Sequence, residues 1–334
     1  MERNGICVAG SLIADRFYGV ESYPREGFLS TIRDSSMHIG GTGNLILDLA
    51  KLDPDLMVKV CAVVGRDDSG AALLAALGQY PNIDTDAISR DGESSITLVI
   101  NAADTKQRTF FFLPGASDVF DESRIPWERI DARIFHLEYL LLMKRVDAPD
   151  AEFGTHGARI LCHARERGML TSIDMVSEQS DRVQRVIRPV LRYTDICCIN
   201  EAEAQAVTGI ALTENGVIRA DKVCEALRVL HRLGVSTWAV IHSPRCNYGY
   251  DVQADCMVQV DSLTLPHGFI KGTTGAGDAF CSGILLAAHR GDTLAGAMRL
   301  AVACAACSLS QSNGTDGMRS RDEALVFADR IANS

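Results

Sequence analysis

The sequence predicts an α/β protein with a mainly parallel sheet, helices on both faces, and a small inserted β-lid. Three observations lead there. Short apolar runs alternate with stretches of helical period along most of the chain, the order expected of repeated βα units. That alternation is interrupted by a hairpin signal, Ile96 to Ile100 and Arg108 to Leu113 around Asn101-Ala102-Ala103-Asp104, and by weakly alternating residues between 13 and 38. A glycine-rich entry into an apolar helix, Lys271 to Phe280, provides an end at which a ligand would bind. The expected division is a core of residues 1–12, 39–93 and 115–334, with a lid of residues 13–38 and 94–114.

Ile6 to Gly10 reads as a short buried strand, left through Ser11-Leu12-Ile13-Ala14-Asp15. Ligands of open parallel sheets gather beyond the carboxyl ends of strands, so Asp15 stands where a substrate would lie; taken alone, a turn cap accounts for it as well. Gly40-Gly41-Thr42-Gly43-Asn44 precedes a helical run with apolar residues at 45, 46, 49 and 52. It is a second glycine-rich helix entry, or a tight turn with Asn44 as N-cap. Val58 to Val64 is a strand, and a helix follows around Ala71 to Leu77.

After the hairpin, Ile134 to Leu137 is a strand ending at Glu138, a helix spans about 152–167, and Leu170 to Ile173 is a strand ending at Asp174. A helix near 181–191 and the strand Ile196 to Ile199 lead to Asn200-Glu201-Ala202-Glu203. Asn at N-cap with Glu three residues on forms a capping box; the same amide and carboxylate beyond a strand end would also suit a hydrated Mg²⁺. Val217 to Leu233 is read as helix and Trp238 to Ile241 as strand, with two short strands from Tyr248 to Val260. The tail is helical from Asp292, with a break at Ser312-Asn313-Gly314-Thr315.

With 334 residues, 47% hydrophobic and 23% charged, the chain can bury a large core, and no apolar run approaches the roughly 20 residues needed to cross a bilayer. The start has no signal-peptide pattern, and a cytoplasmic location is expected. A formal charge of −10 without a basic stripe argues against nucleic acid as partner. The eleven cysteines are spread through apolar segments and read as reduced and buried, Cys304 and Cys307 as helix packing.

Lys271-Gly272-Thr273-Thr274-Gly275-Ala276-Gly277-Asp278 carries the chemistry. Bare N–H groups and the positive end of the helix dipole face one point, and the glycines let an anion approach the backbone. Asp278 stands beside that point as a proton acceptor, which suggests phosphoryl transfer to a hydroxyl. An ordinary Asp, with a pKa of about 3.9, is ionised at neutral pH but is a weak base, so its proton transfer is expected late in the reaction.

These motifs, in this order, resemble the ribokinase-like sugar kinases of the phosphofructokinase-B type, over essentially the full length. Gly10 to Asp15 is similar to that family's first strand and sugar-contacting Asp, Gly40 to Asn44 to its first signature, Asn200 to Glu203 to its N-x-x-E segment, and Thr273 to Asp278 to its second signature. The resemblance implies an ATP- and Mg²⁺-dependent kinase of a sugar or sugar-like alcohol, with Asp278 as base and Gly275, Ala276 and Gly277 as anion hole. It places Asp15, Gly40, Gly41, Asn44 and Glu138 on the substrate, and Asn200, Glu203, Thr273, Asn313 and Gly314 on the nucleotide, with Mg²⁺ at Glu203 through water. Gly272 replaces an Asp that many members associate with a monovalent cation, so potassium activation does not carry over. Gly40 to Asn44 is one residue short of the usual first signature, and His242-Ser243-Pro244-Arg245 replaces a glycine-rich turn near the nucleotide. Arg108 on the hairpin has two readings, contact with a charged substrate or a solvated lid residue, and the solvated role is the one expected. The exposed edges of such a lid call for cover, making a lid-mediated homodimer the expected assembly. A nucleoside kinase and a non-catalytic sugar-binding regulator are the competing readings.

Overall fold

The first strand, β1 (Ile6–Gly10), is buried at all five positions, as a strand with neighbours on both sides and helices over both faces requires. The computed structural model describes residues 3–105, 107–178, 180–214 and 217–333. From β1 the chain runs outward through β2 (Leu12–Val20), returns antiparallel as β3 (Ile32–Gly41), and enters helix α1 (Thr42–Leu52). Then come β4 (Val58–Val64), α2 (Asp68–Leu77), β5 (Ile83–Arg90), β6 (Ser95–Ala102) and β7 (Arg108–Leu113). The sequence reading missed β5. It is an edge strand that buries Ile83 and Ala87 while Asp84, Thr85 and Asp86 lie between them, so it carries no period-two signal.

The strand expected to end at Glu138 continues to Leu140 as β8 (Ile134–Leu140). β9 (Pro149–Asp150) pairs with β10 (Gly154–Thr155), which falls on the start of the helix expected from about 152, and α3 (His156–Glu166) begins after it. β11 (Leu170–Met175), α4 (Arg182–Leu191), β12 (Ile196–Asn200) and α5 (Glu201–Thr208) follow as read. Val217 and Ile218 are not helical: β13 (Thr213–Glu214) pairs with β14 (Val217–Ile218), and α6 (Ala220–Leu233) starts later. The chain closes with β15 (Trp238–His242), β16 (Cys246–Asp251), β17 (Cys256–Asp261), α7 (Ala276–Arg290), α8 (Leu294–Leu309) and α9 (Arg321–Ala332).

Nine strands form one sheet in the order β17-β16-β15-β12-β11-β8-β1-β4-β5, parallel from β15 to β5. Its two faces bury separate cores. Cys7, Ala9, Phe135 and Leu137 point to the side covered by α3 to α6, and Ile6, Val8 and Ile134 to the side covered by α1, α2, α7 and α8. By that alternation His136 and Glu138 face α1 and α7. A second sheet, β3-β2-β6-β7, stands over the carboxyl end of β1. Met37, Leu98 and Phe111 lie in register across it and are exposed, on the face opposite Asp15 and Thr97.

Candidate active site

The start of α7, like those of α1, α4 and α6, has no side-chain cap. Asp67, Thr155, Asn200 and Thr293 each cap a helix by accepting a bond from a first-turn N–H, whereas the N-cap of α7, Gly275, offers no side-chain cap. Gly275 has φ 81°, a left-handed conformation that favours glycine, and an added Cβ would lie 2.6 Å from Gly314 Cα. Ala276 N–H makes a long 3.4 Å bond to the Thr273 carbonyl, and the N–H groups of Gly277 and Asp278 are left for an incoming anion. A Cβ at Gly277 would lie 3.6 Å from His242 Cε1, in ordinary contact with that ring.

Asp278 is only 6% exposed, and both its oxygens are held. Asn44 Nδ2 donates to Oδ2 at 3.0 Å, and the Tyr139 hydroxyl donates to Oδ1. Burial, then the nearby Glu138 charge, push the Asp278 carboxyl up to about 8; Asp15 adds to this and the Asn44 bond opposes it. The expected ordinary Asp is thus corrected. Buried among carboxylates, it is a stronger base than the side chain is in water.

Asn44 does not cap α1. The N-cap is Gly41, and Asn44 is the third helical residue, buried, with its amide turned to the Asp278 carboxylate. The shortened glycine motif thus still brings its Asn to the site. Nor is Asp15 in a turn: it lies within β2, paired with His38 and Thr97, and its burial, opposed by a Thr97 hydrogen bond, raises its carboxyl to about 6. Gly40 lies beneath it, where a Cβ would come 2.1 Å from Asp15 Oδ2.

Glu138 is fully buried; its Oε2 meets His136 Nε2 at 2.9 Å, and its Oε1 has no side-chain or backbone partner. Glu138, Asp174 and Asp278 each bring a carboxylate oxygen within 4.8 Å of the others. Burial, then Glu203 and Glu138, hold Asp174 well above its ordinary value. Hard oxygen donors of this kind suit Mg²⁺.

At α5 both sequence readings are compatible. The capping box is formed, with Asn200 N–H donating to Glu203 Oε2 at 2.8 Å and Glu203 N–H to Asn200 Oδ1 at 2.9 Å. Ser177 Oγ donates to Glu203 Oε1 at 2.7 Å, and burial raises this carboxyl to about 7. Asn200, Thr273 and Gly277 line a cavity of about 620 Å³ whose walls include His242, Pro244 and Phe280. The His242 ring stacks on Phe280, with centroids 5.1 Å apart, and burial lowers its pKa to about 4, so it is neutral at physiological pH. Asn313 and Gly314 are not among the lining residues. Asn313 Nδ2 donates to Asp316 Oδ2 at 2.7 Å, and Gly314 packs behind Gly275, close to Asn44 Oδ1.

Arg108 is not a solvated lid residue. Its Nη1 donates to Thr274 Oγ1 at 2.6 Å, tying β7 to the loop before α7, and with Lys271 it lines a second cavity that also includes Glu203, Thr273 and Tyr139. The sequence reading missed Tyr139 and His136. A strand ended at Glu138 leaves Tyr139 unconsidered, and strict alternation places it on the face away from Glu138. His136, two residues before Glu138 on one strand, was accessible to that same alternation.

An uncapped helix start beside a buried, doubly held Asp, at the carboxyl end of a nine-stranded mainly parallel sheet, defines a kinase of the ribokinase-like class. The chain belongs to the pfkB family of carbohydrate kinases, whose profile matches residues 3–321. It is similar to a ribokinase of Haemophilus influenzae, 23% identical over 97% of this chain and 98% of the other. Among solved structures, Arabidopsis thaliana ribokinase complexed with ribose and ATP shares its fold at a TM-score of 0.80, 20% identical and covering 98% and 99% of the two chains. The nucleoside kinase of Methanocaldococcus jannaschii does so at 0.75, 16% identical and covering 99% of each.

Proposed function

We propose that this enzyme transfers the γ-phosphoryl group of ATP to a hydroxyl of a sugar or sugar-like small molecule, with Asp278 as the general base. The observation that carries this reading is the Asp278 carboxylate, buried and oriented by Asn44 within the first turn of the uncapped helix α7. The acceptor lies between the two sheets, held by Asp15 over Gly40 and Gly41, with Asn44 and Glu138 below. Its hydroxyl proton passes to Asp278 as the oxygen attacks the γ-phosphorus. A carboxyl raised to about 8 accepts a proton near the working pH, so transfer need not wait until the hydroxyl is fully acidified by bond formation.

The amides of residues 275–278 receive the charge that develops on the transferring group, and Arg108 adds a cation from the lid side. The adenine fits the cavity beside neutral His242 and Phe280, with Asn200 and Thr273 toward the phosphates. Mg²⁺, when bound, would supply further charge neutralisation of the phosphates. Both Glu203 oxygens are engaged within the protein, which favours contact with the ion through water. Gly272 packs with its backbone against Ser312, where a Cβ would come 2.7 Å from the carbonyl oxygen, and the reading assigns it no cation.

Closure of the second sheet over the acceptor excludes water. The exposed row Met37, Leu98 and Phe111 favours a homodimer paired through that sheet. Among the described residues no helix is long and apolar enough to cross a membrane; a cytoplasmic enzyme is the location this reading favours.

The test is a coupled ADP-release assay across sugars, sugar acids, phosphosugars and nucleosides with ATP and Mg²⁺. Turnover with adenosine, inosine or cytidine and with no free sugar would replace the sugar by a nucleoside. Sugar binding without any transfer would make the protein a non-catalytic binder.

A further inference from the structure

We infer that Tyr139 is a built-in stopper of the acceptor position, whose hydroxyl occupies Asp278 Oδ1 until an acceptor alcohol displaces it, so that water cannot use the base. This rests on the kinase reading above. Tyr139 donates a hydroxyl to the catalytic carboxylate, which is the contact an acceptor alcohol makes at the start of transfer. Oδ2 already accepts from Asn44, and Tyr139 covers the other oxygen, Oδ1. The residue is only partly buried and also borders the cavity with Thr273, Thr274 and Arg108, so that it reaches both Asp278 and the cavity beside the loop before α7.

Two acceptors compete for that position. Water would bond to Asp278 alone and gains nothing that the tyrosine does not already offer. A polyhydroxylated acceptor gains contacts at Asp15 and over Gly40 and Gly41 as well, and those contacts offset the loss of the tyrosine bond. The reaction that the stopper suppresses is hydrolysis. In it a water oxygen bonds to the γ-phosphorus, the bond from that phosphorus to the β–γ bridging oxygen breaks, the water proton passes to Asp278 Oδ1, and ADP and phosphate leave.

Tyr139→Phe keeps the ring and removes only the hydroxyl, leaving space for a water at Oδ1. Loss of one hydrogen bond to a buried carboxylate corresponds to about tenfold in occupancy. Acceptor-free ATP hydrolysis in Tyr139→Phe should therefore rise about tenfold over the parent, and Tyr139→Phe/Asp278→Asn should lose that gain. The KM for the acceptor should fall. Unchanged hydrolysis together with a raised acceptor KM would overturn the inference and make Tyr139 an ordinary substrate contact, while leaving the kinase reading intact. Phosphate incorporated on Tyr139 of the parent protein would also overturn it, since a stopper must be inert. If the parent phosphorylates no acceptor and the variant hydrolyses no faster, both readings fall.

Discussion

The pH dependence of turnover tests the buried base most directly. Asp278 loses solvation on burial and lies beside Glu138, and the two effects lift its pKa from 3.8 to about 8. About one Asp278 in ten is then ionised at pH 7, and about one in a hundred at pH 6. Only the ionised carboxylate accepts the acceptor proton. The value of kcat/KM, measured with the second substrate far below saturation so that it reports the free enzyme, should climb about tenfold per pH unit from 6 to 7 and level off above 8. Glu138→Gln removes the second cause of the shift. Whatever it does to the absolute rate, the rising limb should move to lower pH. A profile flat from pH 6 to 9, or a limb near pH 4, would show that Asp278 titrates as an ordinary Asp and would refute the electrostatic argument.

Asp278→Asn should lower turnover by at least ~10² while leaving ATP binding nearly unchanged, as read by nucleotide titration. The same variant should unfold at a higher temperature. The folded pKa of Asp278 lies above the unfolded one, so its favourable contribution is complete below about pH 4 and is lost as pH rises through about 8. The stability advantage of Asn should therefore grow across that window in thermal melts, and a constant difference would count against it. Arg108→Ala breaks the bond to Thr274 and removes the lid-side cation; kcat/KM for ATP should drop roughly 10- to 100-fold with no change in melting temperature. Phe111→Lys puts a charge into the exposed row of the second sheet, and light scattering should register a monomer if that face pairs two copies.

The order of strands and helices was legible because most strands of the large sheet are buried on both faces and most helices carry one apolar side. β5 escaped because an edge strand with acidic residues at 84 and 86 has no such pattern. The helix over 217–233 was begun too early because Val217 and Ile218, apolar and next to a helix, pair instead with Thr213 and Glu214. At the site, glycine-rich helix entries marked Asn44 and Asp278, but their contact joins residues 234 positions apart, which no local pattern encodes. The raised pKa of Asp278 is likewise a property of assembly: it comes from burial and from Glu138, and neither can be read from the residues around Asp278. Arg108 looked solvated because a hairpin in isolation is solvated. Only the placement of β7 beside residues 272–274 gives it a partner.

The Asn200–Glu203 pair bears on how this chain tolerates mutation. One carboxylate both closes the first turn of α5 and lines the cavity that Arg108, Tyr139 and Thr273 share. Replacing Glu203 with Ala would leave the Asn200 N–H without its acceptor while the Asn200 cap stays, a loss of about 1 kcal/mol for that hydrogen bond. Random drift therefore meets a stability penalty before any question of activity arises. A descendant of this chain that no longer needed the nucleotide would still be under pressure to keep the residue.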